Sequence, residues 1–296
     1  MIGSIFALLS ATSFAANKIF IRRAVLKIPD ASLGVLISVP MAVPLFFLIL
    51  VFSGQLHTLM SFSWRGYVWM ALAGIVHFIV GRSLNYKCTQ LVGANIGNIL
   101  SRSDIPVSVI FGVSFLNEPL SWPLATGVVF ILVGIILAGM NTQMLQNAYG
   151  ELSGVPLMGY VYGVGCGLAW GTSPIFVKLG LEGSGSSVAG AFVSFLAASV
   201  VLGLTLLNRK RRTAFTHMGG RTSGLFFLAG LFSCAANLFR YIALGFAPAS
   251  VVTPLVSIQP VFGLIFAFLF NRKLEIFSRP VVIGTVAVVI GTLMII

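Results

Sequence analysis

Ten apolar runs follow one another through this chain of 296 residues, at about 3–21, 31–52, 66–87, 94–116, 121–140, 156–179, 186–207, 222–245, 249–270 and 277–296. Each is close to the roughly 20 residues that an α-helix needs to cross a hydrocarbon core. Only 8% of residues are charged and 58% are hydrophobic, so lipid must be the solvent for most of this surface. Lipid admits only elements that satisfy their own backbone, which means helices or closed barrels. A barrel would read as alternating segments of about ten residues, whereas these runs are unbroken. The expected fold is an all-α integral membrane bundle of ten transmembrane helices, joined by turn chemistry such as Pro29-Asp30, Ser53-Gly54 and Asn117-Glu118-Pro119. The first run opens at Ile2 without a basic leader and reads as a retained helix.

The chain also repeats itself. Ser13 through Arg22 stands where the second half has Ala169 through Lys178, and Pro106-Val107 through Asn117 stands where it has Pro260-Val261 through Asn271. Gly127 and Gly134 recur as Gly284 and Gly291. Residues 1–140 and 156–296 therefore read as two copies, with 141–155 as a polar linker. Five spans per copy is an odd number, so the second copy enters the bilayer from the opposite side. Inverted five-helix repeats around a central cavity are a route to carriers that open alternately to two sides.

Basic residues set an orientation. The loops after runs 1, 3, 7 and 9 carry Arg22, Arg23, Lys27, Lys87, Arg209-Lys210-Arg211-Arg212, Arg221, Arg272, Lys273 and Arg279, whereas the opposite set carries Arg65 and, at helix ends, Lys178 and Arg240. By the positive-inside rule both termini face away from the cytoplasm. The net charge of +12 is thus a property of membrane loops, and no nucleic-acid partner is expected. Cys88, Cys166 and Cys234 have no metal spacing and read as small packing residues. The chain has no P-loop, HExxH or GxSxG motif. An enzyme, direct ATP drive, a cofactor and a bound metal are therefore not expected.

At the C-terminal end the pattern becomes specific. Tyr241-x-Ala243-Leu244, Pro248-Ala249, Pro260-Val261 and the spaced Gly284 and Gly291 resemble the EamA family of the drug/metabolite transporter superfamily. The first half gives a second copy in Tyr86, Gly93-Ala94, Pro106-Val107, Glu118, Gly127 and Gly134. Trp170-Gly171 followed by Lys178 resembles the family's first-helix signature. The resemblance implies a bacterial inner-membrane exporter of metabolites, amino acids or toxic compounds, with its termini in the cytoplasm, against the charge count. One departure is the acid usual after the fourth helix: it is present as Glu118, but spacing from the proline sets Arg272 in its place in the second half.

Ionisable groups at mid-membrane are costly and should face the bundle interior. Asp104 is the only acid near the middle of a run, and two roles are open to it: a proton-coupling carboxyl, or one member of a fixed ion pair with Lys18, Arg82 or Arg102. On one continuous helix, Asn95, Asn98 and Arg102 share a stripe while Asp104 lies on another. In the third run, His77 and Asn85 share a face beside Arg82 and Tyr86. The eighth run answers with Asn237 and Tyr241 beside Arg240. Asn17, Trp170, Ser173 and Gln259 complete the candidate cavity. Its arginines would hold a carboxylate or phosphate, and its amides and phenols would orient it. His77 reads either as a proton carrier or as a packing group; Arg240 either lines the cavity or snorkels to the interface, and Lys18 and Lys178 are expected to snorkel. Gly163, Gly167 and Gly171, spaced by four, predict close helix packing. The expected activity is secondary transport of a small organic solute, with or without protons, by a monomer or homodimer in the plasma membrane. An uncoupled facilitator, and a non-transporting membrane enzyme or partner protein, are the alternatives.

Overall fold

The structure, a computed structural model, describes residues 2–116, 121–139, 155–181, 186–246, 252, 255–256 and 258–295. Among them every regular element is helical. The first run is α1 (Ile2–Val25). The second run holds α2 (Val35–Ser38) and α3 (Ala42–Phe52) on either side of Pro40. The third holds α4 (Trp64–Gly74) and α5 (Arg82–Val92), joined by a π-helical stretch, Ile75–Gly81. The fourth is broken into α6 (Ala94–Ser101) and α7 (Asp104–Leu116), and the fifth is α8 (Trp122–Gly139). The second half gives α9 (Val155–Leu181), α10 (Ser187–Thr205), α11 (Arg209–Thr216), α12 (Gly220–Phe246), α13 (Gln259–Phe270) and α14 (Arg279–Ile295).

Six helical stretches are long and apolar enough to cross a membrane unaided: Ile2–Val25, Ala31–Phe52, Trp64–Val92, Leu157–Leu181, Val188–Thr205 and Gly220–Arg240. Trp122–Leu137, Gln259–Phe270 and Arg279–Ile295 are shorter apolar helices. Apolar side chains such as Val129, Ile136, Leu168, Val200 and Leu269 point outward, as a lipid solvent allows. The basic stretch that begins at Arg209 is not a plain loop but α11, capped by the Asn208 side chain, which accepts from Lys210 N and Arg211 N at 3.0 and 3.4 Å. Phe215 packs against the largest apolar cluster and holds α11 down.

Helices that match under the repeat touch each other. A Cβ added to Gly127 would lie 2.5 Å from Gly291 O, and one added to Gly291 would lie 2.5 Å from Gly127 O; Gly134 meets Gly284 O at 2.6 Å in the same sense. One residue number rises as its partner's falls, so α8 and α14 run antiparallel with their backbones in contact. Only glycine permits that approach. The same arrangement recurs elsewhere. Helix α1 lies against α12, where Ser10 Oγ donates to Ala236 O at 2.8 Å and Asn17 Nδ2 donates to Ala229 O. Helix α9 lies against the third run, with Gly159 at Val92, Gly163 at Cys88 and Trp170 at Gly81. Runs 1 and 8 and runs 6 and 3 are images of each other under the repeat. The expected glycine spacing on α9 thus serves packing: Gly167 faces Ser103 and Gly171 faces Asp104 O and Val107. Cys88, Cys166 and Cys234 are free and buried.

Glu118, Asn141–Gly154, the Gly183–Gly185 stretch, Pro248-Ala249, Ser257 and the side chain of Tyr241 lie outside the described residues; most of the linker anticipated at 141–155 is among them.

Candidate functional site

Polar side chains gather in two places on the seam between the halves. The first is at the basic end. Gly93, at φ 90°, has no side chain with which to cap α6. The cap comes instead from Glu275, far along the chain, whose carboxylate accepts from Ala94 N at 2.8 Å and Asn95 N at 3.1 Å. A carboxylate at a helix N-terminus meets unpaired donors and the positive end of the helix dipole together. Arg22 lies 3.4 Å from the same carboxylate, and both side chains are almost wholly buried. Its guanidinium also donates to Thr89 O at 2.6 Å, Gln90 O at 2.9 Å and Leu274 O at 2.8 and 3.0 Å. Burial pushes the Glu275 carboxyl above its ordinary range, while Arg22 and the two backbone donors pull the other way. Arg23 donates to Asn271 Oδ1 at 2.7 Å, and Asn271 Nδ2 donates to Ile19 O at 3.1 Å. Helix ends of the first half are thereby tied to the loop between α13 and α14.

This geometry corrects the repeat register. Glu118 stands nine residues before Gly127, and Glu275 stands nine before Gly284; these are the glycines whose helices pack on each other. Glu275, not Arg272, is therefore the second-half counterpart of Glu118. Three extra residues in the second-half loop hide the match when it is counted from the proline.

The second cluster lies deep in the bundle. Lys18 does not snorkel: it is 7% exposed, donates to Asn85 Oδ1 at 2.8 Å and sits 5.8 Å from the centroid of the Trp170 ring. Trp170 is stacked on His77 at 5.5 Å and donates from Nε1 to His77 O at 3.0 Å. His77 lies within the π-helical stretch, and Gly81 at its end leaves room for the indole. A π-helical turn within a span is often a functional feature; here it turns His77 Nδ1 toward Ser173 Oγ, 2.8 Å away. Arg82 follows at once. It reaches Ser38 O at 3.3 Å and, across the seam, Ser233 Oγ at 3.4 Å, with Phe78 beneath it at 5.4 Å.

The break in the fourth run removes the single-helix stripes expected there. Arg102 is the C-cap of α6, and Asp104 opens α7. Pro106 lacks the N–H that would bond Arg102 O, and Ile105 N takes that carbonyl instead at 3.2 Å. Arg102 Nη2 donates to Gln259 Oε1 on α13 at 3.2 Å. Asp104 has no ion-pair partner within 4.0 Å among the described residues; the ion pair seen there is Arg22–Glu275. Its Oδ1 is buried without a hydrogen-bond partner, as is Asn85 Nδ2.

The remaining candidates are dispersed. Asn17 is held by α12 in the α1–α12 packing seam. Tyr86 is buried against Phe226 and donates to Ser38 Oγ at 2.8 Å, so it belongs to the apolar core. Asn95 donates to Ile276 O at 3.2 Å, at the basic end. Asn98 is buried with its amide facing Gly263. Asn237 donates to Ser233 O on its own helix at 2.8 Å. Arg240 and Lys178 are exposed.

Comparison with known proteins agrees with the two-copy architecture. The model of the EamA-like transporter family matches twice, over residues 1–140 and 157–296. A crystal structure sharing 11% identity superposes with a TM-score of 0.57 over 99% of this chain and 96% of its own, a likeness of fold alone. No curated protein matches.

Proposed function

Because the chain belongs to the EamA-like transporter family, a membrane transporter family of the drug/metabolite type, we propose that it is a secondary carrier of a small organic solute that works by alternating access. Ten spans in two inverted five-helix repeats, residues 1–140 and 156–296, would form the two moving bodies. The observation that carries this reading is the cross-seam polar cluster: Arg82 reaches Ser233, and Arg102 reaches Gln259. Half-buried cations whose partners stand on the facing repeat are what a cargo site at the repeat interface would need, and carriers of this kind hold their cargo there. Broken helices beside such a site fit the same pattern. The Arg22–Glu275 network would be the closed gate on the basic side, since it joins the halves only there. The α8–α14 contact, where backbones meet at glycines and Val288 and Ile295 pack into the gaps, would hold the two bodies together while they rock.

Export across a bacterial inner membrane is the direction and place in keeping with the family. Asp104 is the coupling residue in this reading, because its unpartnered oxygen leaves a place for a proton. Flux in proteoliposomes tests both points. Wild-type protein should move solute faster under an imposed pH gradient, and Asp104→Asn should keep counterflow while losing that response. An unchanged response in Asp104→Asn would leave an uncoupled exchanger.

A further inference from the structure

Three cations lie within the bundle: Lys18, which is buried, and Arg82 and Arg102, which are half-buried. Every partner the structure gives them is neutral: an Asn oxygen, a backbone carbonyl, a Ser hydroxyl and a Gln oxygen. Arg82 and Arg102 both lie within electrostatic reach of Lys18. Asp104 is the one described acid among them; it opens α7, and Arg102 is within electrostatic reach of it but not in ion-pair contact. Three positive charges against one negative leave this region short of anions. Glu275 cannot make up the difference, since its oxygens are taken by Arg22, Ala94 N and Asn95 N. Buried charges persist when paired, and hydrogen bonds to neutral acceptors relieve only part of the cost. Lys18 and Arg82 also lie over aromatic faces, those of Trp170 and Phe78, which stabilise a cation without neutralising it. The same rings give this cluster an apolar side.

We propose that the cargo supplies the missing charge: it is a net-anionic organic molecule, a carboxylate or phosphate monoester with a small apolar body, held by Lys18 and Arg82. The proposal rests on the carrier reading and narrows it. A guanidinium takes such a group through two parallel hydrogen bonds, and an ammonium adds a point charge. Zwitterions, neutral molecules and cations would leave the excess charge in place.

The test uses the full chain in lipid nanodiscs, with thermal shift and isothermal titration against probes of one shape: benzoate, phenyl phosphate, phenylalanine, benzyl alcohol and benzylammonium. The same probes are then followed by flux in proteoliposomes. The two anions should bind, phenyl phosphate more tightly than benzoate. Arg82→Gln and Lys18→Met should each weaken them roughly tenfold or more, and Lys18→Arg should restore most of the affinity. Tighter binding of phenylalanine, benzyl alcohol or benzylammonium would overturn the anion class while leaving a carrier. Anion binding that Lys18→Met and Arg82→Gln do not weaken, in variants that still melt cooperatively, would overturn the assignment to these residues. If no probe binds or moves, and a metabolite-sized library of every charge class also fails, the carrier reading falls too.

Discussion

The two polar clusters of this protein contain similar residues and are built in opposite ways. At the basic end, Arg22 meets a carboxylate and three backbone carbonyls, and that carboxylate also caps a helix. In mid-span, Lys18, Arg82 and Arg102 meet neutral oxygens and aromatic faces. The end cluster pairs its charges within the protein and leaves only a neutral hydroxyl, Thr89 Oγ1, without a partner. The mid-span cluster has open hydrogen-bonding positions at Asp104 Oδ1 and Asn85 Nδ2. A complete buried network holds structure together; an incomplete one, when kept, is shaped for something that comes and goes. Stability and transport should therefore separate along this division.

The largest expected effect on stability is at Glu275. Glu275→Ala would strand the Arg22 guanidinium and two helix N-terminal donors in a buried place. Removing one member of a buried pair costs about 3–5 kcal/mol, and thermal unfolding in detergent should show a clear fall in Tm. Glu275→Gln keeps one acceptor and should cost less. If the gate role is also right, Glu275→Gln should raise the reactivity of a cysteine placed at the repeat interface toward a reagent added from the basic side. Stability unchanged in Glu275→Ala would break the comparison outright.

Next comes Gly93→Ala. Gly93 has a φ of 90°, and its added Cβ would lie 2.8 Å from Glu275 Oε2. Backbone in that region is costly for any L side chain, at about 1–3 kcal/mol, and here the methyl also presses on the capping acid. The loss should shrink in a Glu275→Ala background, where there is no acid left to displace. Strictly additive losses would show that backbone strain alone is at work.

How much of this was legible in the sequence depends on which force set each feature. Apolar burial in lipid is written residue by residue, so every run holds helix, and α9, α10, α12 and α14 end within a few residues of the expected limits. The reciprocal glycines were legible too, because a repeat preserves spacing. The interruptions were not. An apolar run reads the same whether Ile75–Gly81 is α or π, and the wide turn is supported by Trp170 in the other half. Lys18 shows the limit for a long side chain. Its stem reaches the interface or a buried amide equally well, and only the position of Asn85 decides. Glu275 was hidden by a loop insertion, and α11 by its charge, since a short basic helix held down by Phe215 looks like a loop. A polar atom in a span suggests a cavity group, as at Asn17 and Tyr86, but a backbone carbonyl or a serine across a helix seam satisfies it as well.

In mid-span the sign should turn. Lys18→Met replaces a buried cation by an apolar side chain of similar length and removes the cost of holding an unpaired charge out of water, set against the lost bond to Asn85 Oδ1. The variant should melt no lower than the wild type and should lose solute flux. Arg82→Met should behave alike, offset in part by the lost bond to Ser38 O. A steep fall in Tm for both would mean that the mid-span cations are structural, and the contrast with the basic end would vanish.

The smallest effect sharpens the contrast within the mid-span site. Trp170→Phe keeps a flat ring beside Gly81, Lys18 and His77 but removes the N–H that meets His77 O at 3.0 Å. A single neutral hydrogen bond is worth about 0.5–1.5 kcal/mol, so Tm should fall by little. His77 O would remain in the widened turn without the indole donor, and the His77 ring would lose part of what fixes it against Ser173 Oγ at 2.8 Å. The expected signature is a raised KM for transport with a nearly unchanged melting curve, because the ring under Lys18 is less well held while the bundle is intact. If flux and stability fell together instead, the indole would be a structural strut of the π-helical turn, and the open cluster would shrink to Lys18, Arg82 and Arg102.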